Sequence, residues 1–147
     1  MVLIHIICAL LSYGAFLAAC VSGALFLVQE RQLKRKTIGR LFHWLPSLDV
    51  LDRTNFTAIG VGFGLLSVGF ASGLVGARVL LGHWWVGDAK EYLTLLVWVT
   101  YFGVWLVRLR STLRGHRVAL FSILGFSFVV FTLVGTRWLL PSWHPYL

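Results

Sequence analysis

The sequence predicts an all-α integral membrane protein with four transmembrane helices and both termini on the external side. Composition is the first reason. Of 147 residues, 59% are hydrophobic and 12% charged, with a mean hydropathy of +0.85, well outside the range of soluble domains. Length is the second: four apolar runs, 2–28, 56–81, 92–107 and 118–140, suit a bilayer core that needs about 20 helical residues. None shows the period-two alternation of a membrane barrel strand, so the spans are helical. Sidedness of charge is the third reason. Ten of the 13 Lys and Arg fall in two loops: Arg31, Lys34, Arg35, Lys36, Arg40 and Arg53 in one, Arg108, Arg110, Arg114 and Arg117 in the other. Arg78, Lys90 and Arg137 lie at the opposite ends. The positive-inside rule places the two basic loops in the cytoplasm.

Taken in order, the first run reads as a retained span. A cleaved signal has a basic start and an apolar core of about 7–15 residues, whereas nothing basic precedes this run and it continues to Gln29. Cys8 and Cys20 fall within it, 12 residues apart. That is roughly 18 Å along a helix, too far for a disulfide, and both read as small apolar residues. The segment 30–55 reads as a short basic helix, a turn at Leu45, Pro46 and Ser47, and a lead-in to the second span with Ser47 as N-cap. In the second span Gly60 with Gly64, and Gly69 with Gly73, have the spacing that lets membrane helices approach closely. The third run is the shortest and is extended by its flanking aromatic residues. The whole reads as one membrane domain without low-complexity segments or repeats.

The pI near 10.4 does not indicate a nucleic-acid partner, because the basic residues sit in short juxtamembrane loops. Anionic lipid headgroups, at about 1 kcal/mol per residue near the surface, account for them. His43 and His116 share this side and are expected to contact headgroups. Reporter fusions at Lys36 and Gly115 should read cytoplasmic and one at Gly87 external; a cytoplasmic signal at Gly87 would overturn the predicted sidedness.

On the other face, His5 and His144 each border an apolar run, and the loop His83, Trp84, Trp85, Val86, Gly87, Asp88 joins the second span to the third. Two histidines and a bed of indoles on one face suit a flat, apolar metal complex such as haem, for which neutral imidazole is a good iron ligand. Without a C-x-x-C-H motif, haem would be held non-covalently. The same residues have plainer readings. His5 suits an interfacial polar residue ending a span, His144 a tail histidine beside Pro145, and Asp88 the cap of a helix starting near Ala89. Trp84, Trp85, Trp138 and Trp143 suit either a porphyrin platform or an ordinary interfacial belt. His83 is a substitute ligand or a solvated loop histidine. No nucleophile and base constellation is present, so no enzymatic activity is expected.

Ordered motifs run nearly end to end: Leu11, Ser12, Tyr13 after His5; Gln29, Glu30, Arg31, Leu33, Lys34; Leu45, Pro46, Ser47, Leu48, Asp49, Leu51, Asp52; Gly62, Phe63, Leu65, Leu66. Trp85, Asp88, Lys90, Glu91, Trp98, Gly125, Phe126 and the closing Leu140, Pro141, Ser142, Trp143, His144, Pro145, Tyr146 follow. In these the chain resembles the cytochrome c assembly family, which includes haem handlers of cytochrome c maturation and HemX-type membrane proteins. It matches the C-terminal half of what is usually a longer protein. The resemblance implies that His5 and His144 are axial ligands and that metal is bound through them. It also implies that Trp84, Trp85 and Asp88 contribute to the haem platform. The family's W-G-x-x-W-x-W-D pattern reads here Leu81, Gly82, His83, Trp84, Trp85, Val86, Gly87, Asp88, with its first and last tryptophans replaced. Leu106 stands where some members carry a histidine of a second, intramembrane haem site, so unaided haem export is not expected. The expectation is a haem-binding or haem-presenting chaperone at the outer face of a bacterial cytoplasmic (inner) membrane, contacting lipid and another membrane protein or a second copy of itself. The alternative is a haem-free structural or regulatory subunit of a larger membrane redox or haem-synthesis complex.

Overall fold

A computed structural model describes residues 2–36, 44–84, 87, 89–110 and 115–138. It contains four helices: α1 (Val2–Arg35), α2 (Leu48–Leu81), α3 (Ala89–Arg110) and α4 (His116–Trp138). All four are long and apolar enough to cross a membrane, and among the described residues there is no strand. Each helix packs antiparallel against its neighbour in sequence, most extensively α1 on α2, and α4 returns to α1 to close the ring.

The core draws on every helix: Phe16 and Ala19 from α1, Ile59 and Leu66 from α2, Val97 and Tyr101 from α3, Val118 and Val129 from α4. The outer surface is equally apolar, with Leu3, Leu10, Leu17, Val61, Val68, Leu96 and Leu124 among the exposed side chains. Lipid tails are as apolar as leucine, so close packing rather than hydrophobic contrast has to hold such helices together. Phe16 and Tyr101 supply it by stacking with ring centroids 3.6 Å apart. They lie between Gly62, where a Cβ would come within 2.6 Å of Phe16, and Gly125, where it would come within 3.1 Å of Tyr101.

Several polar groups inside the spans bond locally or across helices, since hydrocarbon offers no partners, while the buried Asn55 Oδ1 and the Tyr101 hydroxyl have no hydrogen-bond partner. Ser22 and Ser67 donate to the carbonyls of Ala18 and Phe63 one turn back. Asn55, buried in α2, donates through Nδ2 to the Ala19 carbonyl of α1 at 2.6 Å and to Ser122 Oγ of α4 at 2.8 Å. At the basic end Asp52 of α2 pairs with Arg108 of α3 and accepts the Gly115 amide at 3.0 Å. Glu30 of α1 accepts from Lys34 at 2.7 Å and meets His116 Nδ1 of α4 at 2.6 Å.

Three expectations change in detail. The short basic helix is the uninterrupted end of α1, which runs to Arg35 with Lys34 and Arg35 in its last turn, where cations suit the helix dipole. Of the four paired glycines only Gly69 and Gly73 meet α1 closely; Gly60 faces Trp105 at 3.6 Å, Gly64 faces open space, and Gly62 takes the close contact instead. His116, expected at headgroups, is engaged by Glu30; His43 lies outside the described residues. Ser47 caps α2 as expected, its Oγ accepting from the Val50 amide at 3.4 Å.

Candidate functional site

The site is built at the end of the bundle opposite the basic clusters, where α1 begins and α2 ends. Antiparallel packing brings the first turn of α1 against Gly69 and Gly73 of α2. His5 faces α2 there, half-buried, with Nδ1 2.7 Å from the Gly69 carbonyl oxygen. A Cβ at Gly73 would lie 3.0 Å from Nδ1 and 3.1 Å from Cε1, so the imidazole rests edge-on against bare backbone. Cys8, one turn further along α1, packs beside it, 3.4 Å from a Cβ placed at Gly69. Both cysteines are free, as their spacing requires.

Beyond this contact α2 continues to Leu81 and stops at Gly82, whose φ of 77° lies in the left-handed region that glycine tolerates. Gly82 donates its amide to the Arg78 carbonyl at 3.1 Å, and Arg78 returns Nη1 to the Gly82 carbonyl at 2.7 Å. The guanidinium then lies over the indole of Trp84, 5.6 Å from its centroid, a cation–π contact that fixes the ring. Trp84 stays 57% exposed, so a broad apolar surface remains open beside it. Gly87, at φ 80°, donates its amide to Glu91 Oε2 at 3.0 Å, tying the loop to the first turn of α3, which starts at Ala89 as anticipated. His83 is exposed.

The structure thus brings His5 and the Trp84 loop to one end of the bundle. Of the other sequence-predicted site residues, His144, Trp85 and Asp88 lie outside the described residues, as does Trp143. Among the described residues no cluster of three or more His, Cys, Asp or Glu is arranged to hold a metal ion. Leu106 lies in α3, whose sequence contains no histidine; elsewhere on this helix Trp98, Phe102 and Trp105 pack with Phe63 of α2 at centroid distances of 5.4, 5.6 and 5.7 Å. Two contacts escaped sequence reasoning, the Gly69 carbonyl on His5 and Arg78 over Trp84. The glycine spacing and an arginine near the end of the second apolar run were their only traces.

The family model described as "Cytochrome C assembly protein" matches residues 1–144. The chain belongs to the cytochrome c assembly family. Among its relatives is the cytochrome c biogenesis protein CcsA of Guillardia theta, 27% identical over 159 aligned residues that cover 98% of this chain and 53% of the relative. The CcsA protein of Chlamydomonas reinhardtii is 29% identical over 145 residues, covering 98% of this chain and 40% of its own length. That of Synechococcus sp. (strain JA-2-3B'a(2-13)) is 34% identical over 102 residues, 69% of this chain and 29% of the relative. The chain spans between 29% and 54% of the length of such curated relatives. No solved structure is significantly similar to this family member.

Proposed function

We propose that this chain binds and presents haem at the outer membrane face in cytochrome c assembly, acting as a chaperone without catalytic residues of its own. The observation that carries the reading is the state of His5: its Nδ1 is engaged by a backbone carbonyl, and Nε2 is left as the ligating atom. Metal-bound histidines characteristically give their second nitrogen to such a partner. The donor set fits haem, since one half-buried imidazole stands at the same end of the bundle as an exposed indole held in place by Arg78. If haem is bound, His5 and His144 would hold its iron, and Trp84, Trp85 and Asp88 would give it a surface and an orientation, while the surrounding protein would set access and polarity.

In the same reading the chain works beside another membrane protein or a second copy of itself. Gly64 adds support, an exposed glycine in α2 where a Cβ would meet nothing, and so a notch that a further helix can enter. Contact with anionic lipid is proposed for the basic end, and residence in a bacterial cytoplasmic membrane for the whole. The second reading, a haem-free structural or regulatory subunit, is favoured by Leu106 and Gly87 in place of histidine and tryptophan. An absorption spectrum of the purified chain, as isolated and after adding haem, separates the two. Six-coordinate haem gives a Soret band with low-spin features, and a spectrum showing only free haem would overturn the first reading in favour of the second.

A further inference from the structure

We propose that the Gly69 carbonyl and the bare backbone at Gly73 are positioning elements that lock His5 in one tautomer, hydrogen on Nδ1 and lone pair on Nε2. The proposal rests on the reading of His5 as an iron ligand. A carbonyl oxygen can only accept, so a 2.7 Å contact with Nδ1 requires the hydrogen to be on that nitrogen. In a neutral imidazole the other nitrogen then carries the lone pair. Free histidine prefers the opposite tautomer, in which Nε2 is protonated and cannot bind iron. The carbonyl therefore selects the form that ligates.

The selection needs glycine. Ser72 Oγ also donates to the Gly69 carbonyl, at 2.8 Å, so this oxygen serves two side-chain donors. His5 reaches the same atom because its ring edge slides over residue 73, where any Cβ would stand 3.0 Å from Nδ1 itself. That distance is shorter than a comfortable carbon–nitrogen contact, so a side chain at 73 and the Nδ1 bond compete for one space. At Gly69 the constraint is looser, the nearest atom being Cys8 Cβ at 3.4 Å. Gly73 is the more sensitive position.

The test uses the full chain in detergent micelles with 15N-labelled histidine and no haem. His5 is assigned by the signal lost in His5→Asn. The parent should show Nδ1 protonated and Nε2 bare. Gly73→Ala should shift the population toward Nε2–H, and Gly73→Val should shift it further. Gly76→Ala, one turn on, where a Cβ meets nothing within 4 Å, should match the parent. Loss of helix content in Gly73→Val would be seen by circular dichroism, and Gly73→Ala then carries the comparison. In a second arm haem is titrated into each protein, and Gly73→Val should bind about 10-fold or more weakly, the usual range for losing an outer partner of a metal ligand. An Nε2-protonated His5 in the parent, or a tautomer indifferent to residue 73, overturns the proposal even if haem binds. The stated tautomer in a parent that takes up no haem overturns instead the ligand reading beneath it.

Discussion

Replacing His5 and His144 together by alanine is expected to abolish haem binding, whereas either single replacement should leave a five-coordinate iron that added imidazole restores. The asymmetry follows from the bond count. An indole surface contributes dispersion and excludes water, but it forms no bond to iron, so at least one imidazole has to remain. His5→Ala also frees the Gly69 carbonyl for Ser72 alone and removes no core packing, so the fold should persist and the loss should be specific. Haem content per chain and the spin state read from the Soret and visible bands check it for both singles and the double. If the double variant binds like the parent, the ligand assignment is wrong and exposed His83 is the next residue to replace.

Asp52→Ala is expected to be the most destabilising single change at the basic end, at about 3 kcal/mol or more. Asp52 and Arg108 are largely withdrawn from solvent, with side-chain exposures of 15% and 8%, and Arg108 lies 5.2 Å from the Phe56 ring centroid as well. Removing the carboxylate takes the buried ion-pair partner from that cation and also releases the Gly115 amide, which sets the entry of α4. Gly115 itself, at φ 72°, packs where a Cβ would lie 2.8 Å from Phe26 of α1, so the disturbance reaches three helices. Replacing both partners, Asp52→Ala with Arg108→Leu, should recover much of the loss because no charge is then left unpaired. Unfolding midpoints in a mild detergent titrated with a denaturing one measure the effect; a single variant as stable as the parent would show that the pair contributes little.

The fold was legible because the signals that decide it are long and redundant. Four apolar runs and the Ser47 cap placed the helices, and charge distribution separated the basic loops from the Trp84 loop. What the sequence did not disclose depends on which residues face each other. Gly60 and Gly64 have the same spacing as Gly69 and Gly73, but only the second pair turns toward α1, and the rotation is set by Phe16 entering at Gly62. The continuation of α1 through Glu30 to Arg35 was hidden by its change from apolar to charged residues, which alters the solvent and not the helix. The engagement of His116 by Glu30 joins residues 86 apart and has no local trace. At the candidate site, His5 and the tryptophan loop were visible as types of residue. The carbonyl that orients His5 was not, since a backbone oxygen leaves no mark in a sequence.

The two long helices have a consequence for how the protein meets bilayers of different thickness. At 34 residues each, α1 and α2 are about 51 Å long, against roughly 33–35 Å for α3 and α4 and a hydrocarbon core of about 30 Å. Ala19 opposite Asn55, and His5 opposite Gly69 and Gly73, stagger the long pair, so α2 overshoots the start of α1 by about 10 Å and α1 overshoots the start of α2 by a similar length. A thinner or thicker membrane is then accommodated by tilting the short helices, whose ends lie near the boundary, while the overhangs remain outside the hydrocarbon. The step between His5 and the Trp84 loop is set by the packing of α1 on Gly69 and Gly73 and by the remaining length of α2 to Leu81.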